Sequence, residues 1–363
     1  IDPPREEAVD AVRVSKKVGM KPIMITGDHR LTAVAIAREL GIFLEGDVAL
    51  TGEELEGMSD EELEQLVDKV TVYARVSPIH KLKIVKAWKK RGEIVAMTGD
   101  GVNDAPAIKN ADIGIAMGIT GTDVTKEASA MVLADDNFAT IIKAIERGRW
   151  IFDNIKKYLT YLLQCNLIEI VVIGGGVLVG LPLPLLPAQI LYVNLATDGL
   201  PALALGVSPP DPDIMRRPPR NPKESVFTRD VKTFLIMIPL IVAPILGWIF
   251  LTSLHEGGLS VARTDLFLTF VFFELIVALN CRSLTHSIIK VRPHKFLLLA
   301  IVWEVLLLSA LISIPFVREA FEILLPSLHD ILIVTGVCLS VMVALEFIKV
   351  SLARQKSLSL RPR

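Results

Sequence analysis

Cysteine is scarce in this sequence. The 363 residues include only three, Cys165, Cys281 and Cys338, all in or beside apolar runs. None has CxxC or metal-ligand spacing, so a disulfide framework and a thiolate cage are excluded and buried thiols are expected. A surplus of either charge is also missing: 39 Lys and Arg face 40 Asp and Glu, a net charge of -1. No basic stripe is present, which excludes nucleic acid as a partner, because affinity for a phosphate backbone needs one. No initiating Met, signal peptide or polar lead-in opens the chain. It is therefore read as the C-terminal piece of a longer protein.

The chain does contain two characters, segregated along its length. With 52% hydrophobic residues and a mean hydropathy of +0.50 it is too apolar for an ordinary globular domain. At 22% charged residues it is too polar for a pure membrane bundle. Residues 137–173 join the two parts. They begin charged, end apolar and hold no proline, which predicts one helix. Its roughly 37 residues would run about 55 Å, well beyond the ~30 Å hydrocarbon core of a bilayer, so its first half stands in water.

Before this helix, short β-rich runs alternate with helical ones. Strands are expected at residues 21–25, 70–74, 93–97, 111–117 and 130–133, and helices at 31–40 and 78–91. The alternation implies a parallel sheet with ligands at the carboxyl ends of its strands. The acidic stretch 52–68 is expected to be a solvated surface insertion with no chemistry. Two strand ends are informative: Thr26-Gly27-Asp28, and Thr98-Gly99-Asp100-Gly101-Val102-Asn103-Asp104. Glycine allows close backbone approach and the following helix offers free amides to an anion, so both suit phosphate. Asp100 and Asp104 are spaced as two oxygen ligands of one Mg2+ would be, and Lys81 can neutralise a transferring phosphoryl group. A lone TGD is often only a helix cap, and a lone lysine is usually solvated. Two glycines and three oxygen side chains in six residues make a poor plain turn.

Together with Ala74-Arg75-Val76-Ser77-Pro78 and His80-Lys81, these loops resemble the phosphorylation domain of P-type cation ATPases, members of the haloacid-dehalogenase-like superfamily. Asp2-Pro3-Pro4-Arg5 resembles that family's hinge strand. The resemblance implies that Asp100 binds Mg2+ with support from Asp104, and that Thr26, Gly27, Asn103 and Lys81 hold the phosphoryl group. It further implies that Asp28 shapes the site and that Arg75 lies near the nucleotide, ATP. The family's phosphorylated aspartate, in DKTGT, is not found here, nor is the TGE loop of its actuator domain. Taken alone, the chain is not expected to form a phosphoenzyme.

After the joining helix, apolar stretches predict spans near 158–179, 188–206, 234–254, 266–284, 296–316 and 331–350. Basic residues gather in alternate linkers (Arg216, Arg217, Arg220 and Lys223; Arg282, Lys290, Arg292 and Lys295) and in the tail (Arg354, Lys356, Arg361 and Arg363). By the positive-inside rule these segments, the soluble part and the C-terminus are cytoplasmic. Polar groups in lipid are costly, which marks Asn166, Glu169, Asn194, Thr197, Asp198 and Glu274 as an ion site, with interhelical bonding as the plainer role for the two amides and the hydroxyl. Gly199 and Pro201 are expected to unwind the second span and free carbonyls as ligands. An all-oxygen set suits Ca2+. Glu304 and Glu346 are read as interface or packing residues.

The stretch VNLATDGLPALALG with PPDPDIMRRPPR resembles the sixth span and following loop of Ca2+ pumps of the sarco/endoplasmic-reticulum kind, and QCNLIEI and FFELIVALN resemble their fifth and eighth spans. That likeness implies one ion position at Asn166, Glu169, Thr197, Asp198 and Glu274, and part of a second at Asn194 and Asp198. The expected architecture is a partial α/β haloacid-dehalogenase-like domain with a Rossmannoid parallel sheet (1–136), a stalk helix (137–157), an all-α six-helix transmembrane bundle (158–350) and a cytoplasmic tail (351–363). The expected protein is an integral, multi-pass Ca2+ pump, in the cell membrane if prokaryotic. Its partners are the bilayer, ATP, the transported cation and the rest of the polypeptide: actuator, nucleotide-binding domain and first four spans. A pump for Na+ or another cation, a membrane-anchored phosphatase and a non-catalytic scaffold are the alternatives.

Overall fold

The computed structural model describes residues 4 and 6–359, with side chains for residues 4 and 6–351. Most of the 2–5 stretch read as a hinge strand, and the tail's basic side chains, lie outside the described residues. The chain divides into two compact units, residues 1–148 with 213–223, and residues 149–212 with 224–363.

In the first unit, β1 (Met24–Ile25), β2 (Val48–Thr51) and β3 (Val70–Ala74) form a parallel sheet in the order β1-β3-β2. A second parallel sheet holds β4 (Ala96–Gly99), β5 (Ile113–Met117) and β6 (Met131–Leu133) in that order. Every residue of β3 is buried, as a central strand covered on both faces must be. β1 and β4 are edge strands, one in each sheet. They still share a core, because Ile25 packs with Met97, Val85 and Ile108.

The strand pattern departs from expectation in detail. β1 is shorter than residues 21–25, and β4 starts at Ala96 because the Val95 amide is taken by Asp112 Oδ2 at 2.9 Å. β2 was not foreseen at all. The acidic stretch 52–68 is no loose insertion: it forms helices Gly52–Glu56 and Asp60–Leu66, and Leu55, Leu63 and Val67 are fully buried against Val70, Tyr73 and Ile84. Its acids face out while every third or fourth residue points in, which is an amphipathic helix's pattern. Leu63→Ala should therefore cost about 2–5 kcal/mol, read as a loss of thermal stability, where a solvated insertion would lose almost nothing. The tripeptide Thr51-Gly52-Glu53 does occur here, and Thr51 with Glu54 closes a capping box at the first of these helices.

The turn after β6 is held by Asp136, a non-glycine residue at φ 47°. Its carboxylate accepts from the Ile119 amide at 3.0 Å, and from the Thr120 amide and hydroxyl, both at 2.8 Å. The Ile119 amide leads the bonds that hold its pKa to about 2, below the usual 3.8. Because the folded value is the lower one, this tie stabilises the turn above pH 3.8 and is lost as pH falls through about 2. Hydrogen-exchange protection of the Ile119 and Thr120 amides, corrected for intrinsic rates, should follow that window, and Asp136→Asn should abolish the dependence.

Among the described residues, five helices are long and apolar enough to cross a membrane: Phe138–Leu178 (entering from the first unit), Arg229–Gly257, Leu259–Cys281, Lys295–Ser313 and Leu328–Ser351. The sixth expected span, 188–206, is helical in pieces: Pro187–Tyr192, a π turn at Val193–Thr197, then Gly199–Gly206. The expected unwinding at Gly199 and Pro201 does not occur. Pro201 sits in the first turn of its helix, where its missing N–H is not needed, and the irregularity is the π turn just before it. A second π turn, Ile170–Gly174, interrupts the long first helix directly after Glu169.

Beyond the apolar segments, Asp211 is a buried anchor. It lies 3.1 Å from Lys157 Nζ and 3.2 Å from Arg282 Nη1, and accepts from Ser283 Oγ at 2.8 Å. Burial raises its pKa, but Lys157, Ser283 and Arg282 outweigh that and hold the carboxyl below its usual range. Asn154 adds bonds to the carbonyls of Gly206 and Ser208 at 3.1 and 2.8 Å.

Candidate functional site

Both sheets of the first unit end in loops that carry the sequence-predicted residues. After β1, the Thr26 hydroxyl donates to Asp28 Oδ2 at 2.9 Å and accepts the Asp28 amide at 3.1 Å. Asp28 thus fixes the loop. Gly27 is exposed, and a Cβ added to it would meet nothing within 4 Å. Packing does not require glycine there, and the backbone is open to close approach. Arg75, after β3, is also exposed and takes φ 51°, a strained value for a residue with a side chain. Its amide donates to the Asp28 carbonyl at 3.1 Å, tying the two loops together.

After β4, the two aspartates have different jobs. Asp104 is 5% exposed; one carboxylate oxygen is paired with the Lys81 ammonium, and the other lies 3.3 and 3.4 Å from the amides of Asp100 and Gly101. A Cβ on Gly99 would lie 2.5 Å from Asp104 Cβ, so only glycine lets Asp104 fold beneath its own loop. Asp100 is exposed; its carbonyl accepts from the Thr122 amide at 3.0 Å and the Thr125 hydroxyl at 3.3 Å. Its backbone is pinned while its carboxylate stays open to solvent. Asp104 is engaged by Lys81 and the loop amides and is not the free oxygen that its spacing from Asp100 had suggested. Asp100 is the open oxygen donor, Asp104 organises the loop and holds Lys81, and Asn103 is exposed beside them.

In the second unit, carboxylates gather around the two π turns. Glu169 is 8% exposed, and both its oxygens lie within bonding distance of Asn194 Nδ2, at 3.0 and 2.9 Å. Asp198 is 3% exposed; its amide donates to the Val193 carbonyl at 3.0 Å, the five-residue step that defines the π turn. Glu274 is fully buried, and among the described residues neither of its oxygens has a hydrogen-bond partner; the same holds for Asp198 Oδ1. A buried carboxylate without a partner costs several kcal/mol, so such a cluster is a place for a proton or a cation.

Three placements differ from the sequence reading. Asn166 is exposed and donates to the Leu162 carbonyl at 2.8 Å, so it is not gathered with the carboxylates. Glu304, expected only to pack, is 1% exposed and accepts from the Thr197 hydroxyl at 3.0 Å. Cys165 lies with Asp198 and Glu274, their ligand atoms all within 4.8 Å of one another. Nothing local in the sequence distinguishes Glu304. Cys165 could have been found, since it stands one helical turn before Glu169.

Comparison with known proteins covers both units. The C-terminal family of cation transporting ATPases matches residues 182–351, and the haloacid dehalogenase-like hydrolases match residues 1–112. A calcium-transporting ATPase of Bacillus subtilis (strain 168) is 48% identical over 344 residues, which is 93% of this chain and 38% of that protein. Calcium-transporting ATPase 1 of Bacillus cereus is 46% identical over 348 residues, 91% of this chain and 39% of its own length. Calcium-transporting ATPase type 2C member 1 of Bos taurus is 40% identical over 360 residues, 98% of this chain and 38% of its own. The chain spans about two fifths of the length of these relatives.

Proposed function

Because the chain belongs to the P-type cation-transporting ATPases, matching the C-terminal part of those proteins, we propose that it forms the ion-carrying half and part of the phosphorylation domain of an ATP-driven pump. The pump exports Ca2+ from the cytoplasm. The observation that carries this reading is Glu274, fully buried with both oxygens unpartnered beside Asp198. With Glu169 these carboxylates form a hard oxygen site between helices that are long enough to span a bilayer, which suits Ca2+ over soft metals.

The chemistry of ATP is assigned to the loops after β1 and β4. Thr26, Gly27, Lys81 and Asn103 hold the phosphoryl group, and Arg75 attends the nucleotide. Mg2+ fits at Asp100, whose carboxylate is open, with Asp104 in support; the ion offsets phosphate charge. The phosphorylated aspartate is supplied from elsewhere in the polypeptide, together with the actuator, the nucleotide-binding domain and four further spans. The basic linkers favour a cytoplasmic first unit; in a prokaryote, a multi-pass pump belongs to the cell membrane.

The test is ATP-dependent phosphorylation of the protein expressed from its complete reading frame. Phosphorylation should require Ca2+, and this Ca2+-dependent phosphorylation should be lost in Glu169→Gln and Asp198→Asn. Phosphorylation driven by Na+ with no effect of Ca2+ would sink the calcium reading, and an intact protein that takes no phosphate would favour a scaffold.

A further inference from the structure

The transport cluster contains a donor that Ca2+ does not use. Cys165 is fully buried on the helix Phe138–Glu169, and its sulfur shares a space with carboxylate oxygens of Asp198 and Glu274, every pair within 4.8 Å. All three cysteines lie in the same hydrophobic core, but among the described residues only Cys165 is grouped with carboxylates; Cys281 Sγ accepts from Gln164 Nε2 at 3.3 Å. Asp198 Oδ1 and both oxygens of Glu274 are buried without hydrogen-bond partners among the described residues, which leaves their lone pairs available to a cation.

From this we infer that Cys165, Asp198 and Glu274 form a site for a thiophilic divalent cation, Cd2+ or Zn2+, which binds in competition with the transported ion. The inference rests on the reading of the cluster as a cation site and adds a selectivity that an all-oxygen set would lack. Ca2+ takes six to eight oxygens and gains nothing from sulfur. A borderline or soft ion gains most from a thiolate and is content with few ligands. In a tetrahedral zinc site with one sulfur and two oxygens, ligand atoms stand roughly 3.6 Å apart. Closing a separation of 4.8 Å or less to that value needs a shift of about 1 Å, within reach of side-chain torsions. On binding, the S–H bond of Cys165 breaks, the sulfur lone pair forms the bond to the metal, and the proton leaves to buffer. No electron is transferred and no further reactant is required. The remaining coordination position is filled by water.

The experiment uses the complete protein, purified in lipid nanodiscs, with Cd2+ as the probe. Cadmium bound to a thiolate shows a ligand-to-metal charge-transfer band in the ultraviolet, which carboxylate-bound cadmium does not. The wild type and the Cys281→Ser and Cys338→Ser variants should show one band per protein that Ca2+ removes. Cys165→Ser and Cys165→Ala should lack it, and the Cd2+ concentration that blocks phosphorylation should rise about tenfold or more in both, the scale on which metal sites respond to losing even a supporting group. A band that survives in both Cys165 variants, or none in the wild type, overturns the inference. The two readings fail separately. Normal activation by Ca2+ without a Cys165-dependent band removes only this proposal. A Cys165-dependent band in a protein activated by Na+ keeps the thiophilic site and removes the calcium assignment.

Discussion

Asp100→Asn is expected to lower ATP-dependent phosphorylation of the complete protein by about 10²–10³-fold or more, the loss seen when one group that stabilises developing charge is removed. Its thermal stability should stay within about 0.5 kcal/mol of the wild type, the usual range for a surface substitution. The two halves of this prediction come from one geometry. The backbone of Asp100 is fixed by Thr122 and Thr125, while its carboxylate is exposed. Nothing in the fold depends on the charge, so a change there should register as chemistry alone. Asp104→Asn is the contrast, because it disturbs both the bond to Lys81 and the two loop amides and should cost stability and rate together. A phosphorylation rate for Asp100→Asn within threefold of wild type would remove Asp100 from the proposed site.

The largest stability effect is expected at Asp211. Lys157 and Arg282 are 2% and 5% exposed and both lie against its carboxylate. Asp211→Ala leaves two buried cations facing each other, and breaking a buried pair from one side costs about 3–5 kcal/mol. The readout is the midpoint of thermal inactivation in detergent, which should fall by several degrees. Removing the cation as well separates lost pairing from lost packing: if pairing dominates, Asp211→Ala with Lys157→Met should be milder than Asp211→Ala alone. A double variant as unstable as the single one would point instead to the cavity left by the carboxyl group.

Much of the fold was legible because its signals are local. Val70–Ala74 is a run of β-formers, and the helix Phe138–Glu169 is a proline-free stretch whose polarity changes once. The loops after β1 and β4 could be placed because glycine and oxygen side chains directly after a β-rich run mark a strand's end. What escaped depends on partners distant in sequence. The acids of stretch 52–68 drew attention from Leu55 and Leu63, which only a sheet across the core could identify as buried. Spacing alone could not tell Asp100 from Asp104, and the bond that separates them comes from Lys81, 23 residues before Asp104. Glu304 joins Thr197 across a separation of 107 residues, which no spacing rule reaches. The π turns were missed because an extra residue in a helical turn leaves the hydrophobic pattern almost unchanged.

Those turns have a mechanical consequence. A π turn stores one residue more than an α turn, and the surplus can move along a helix while both helix ends stay where they are. Each residue it passes turns by about 100° around the axis. One such surplus lies immediately after Glu169, and the other contains Asn194 and Thr197 and ends beside Asp198. Sliding either by a single turn would re-aim a carboxylate from one side of its helix toward another, an azimuthal gear that needs no tilting and no change in helix length.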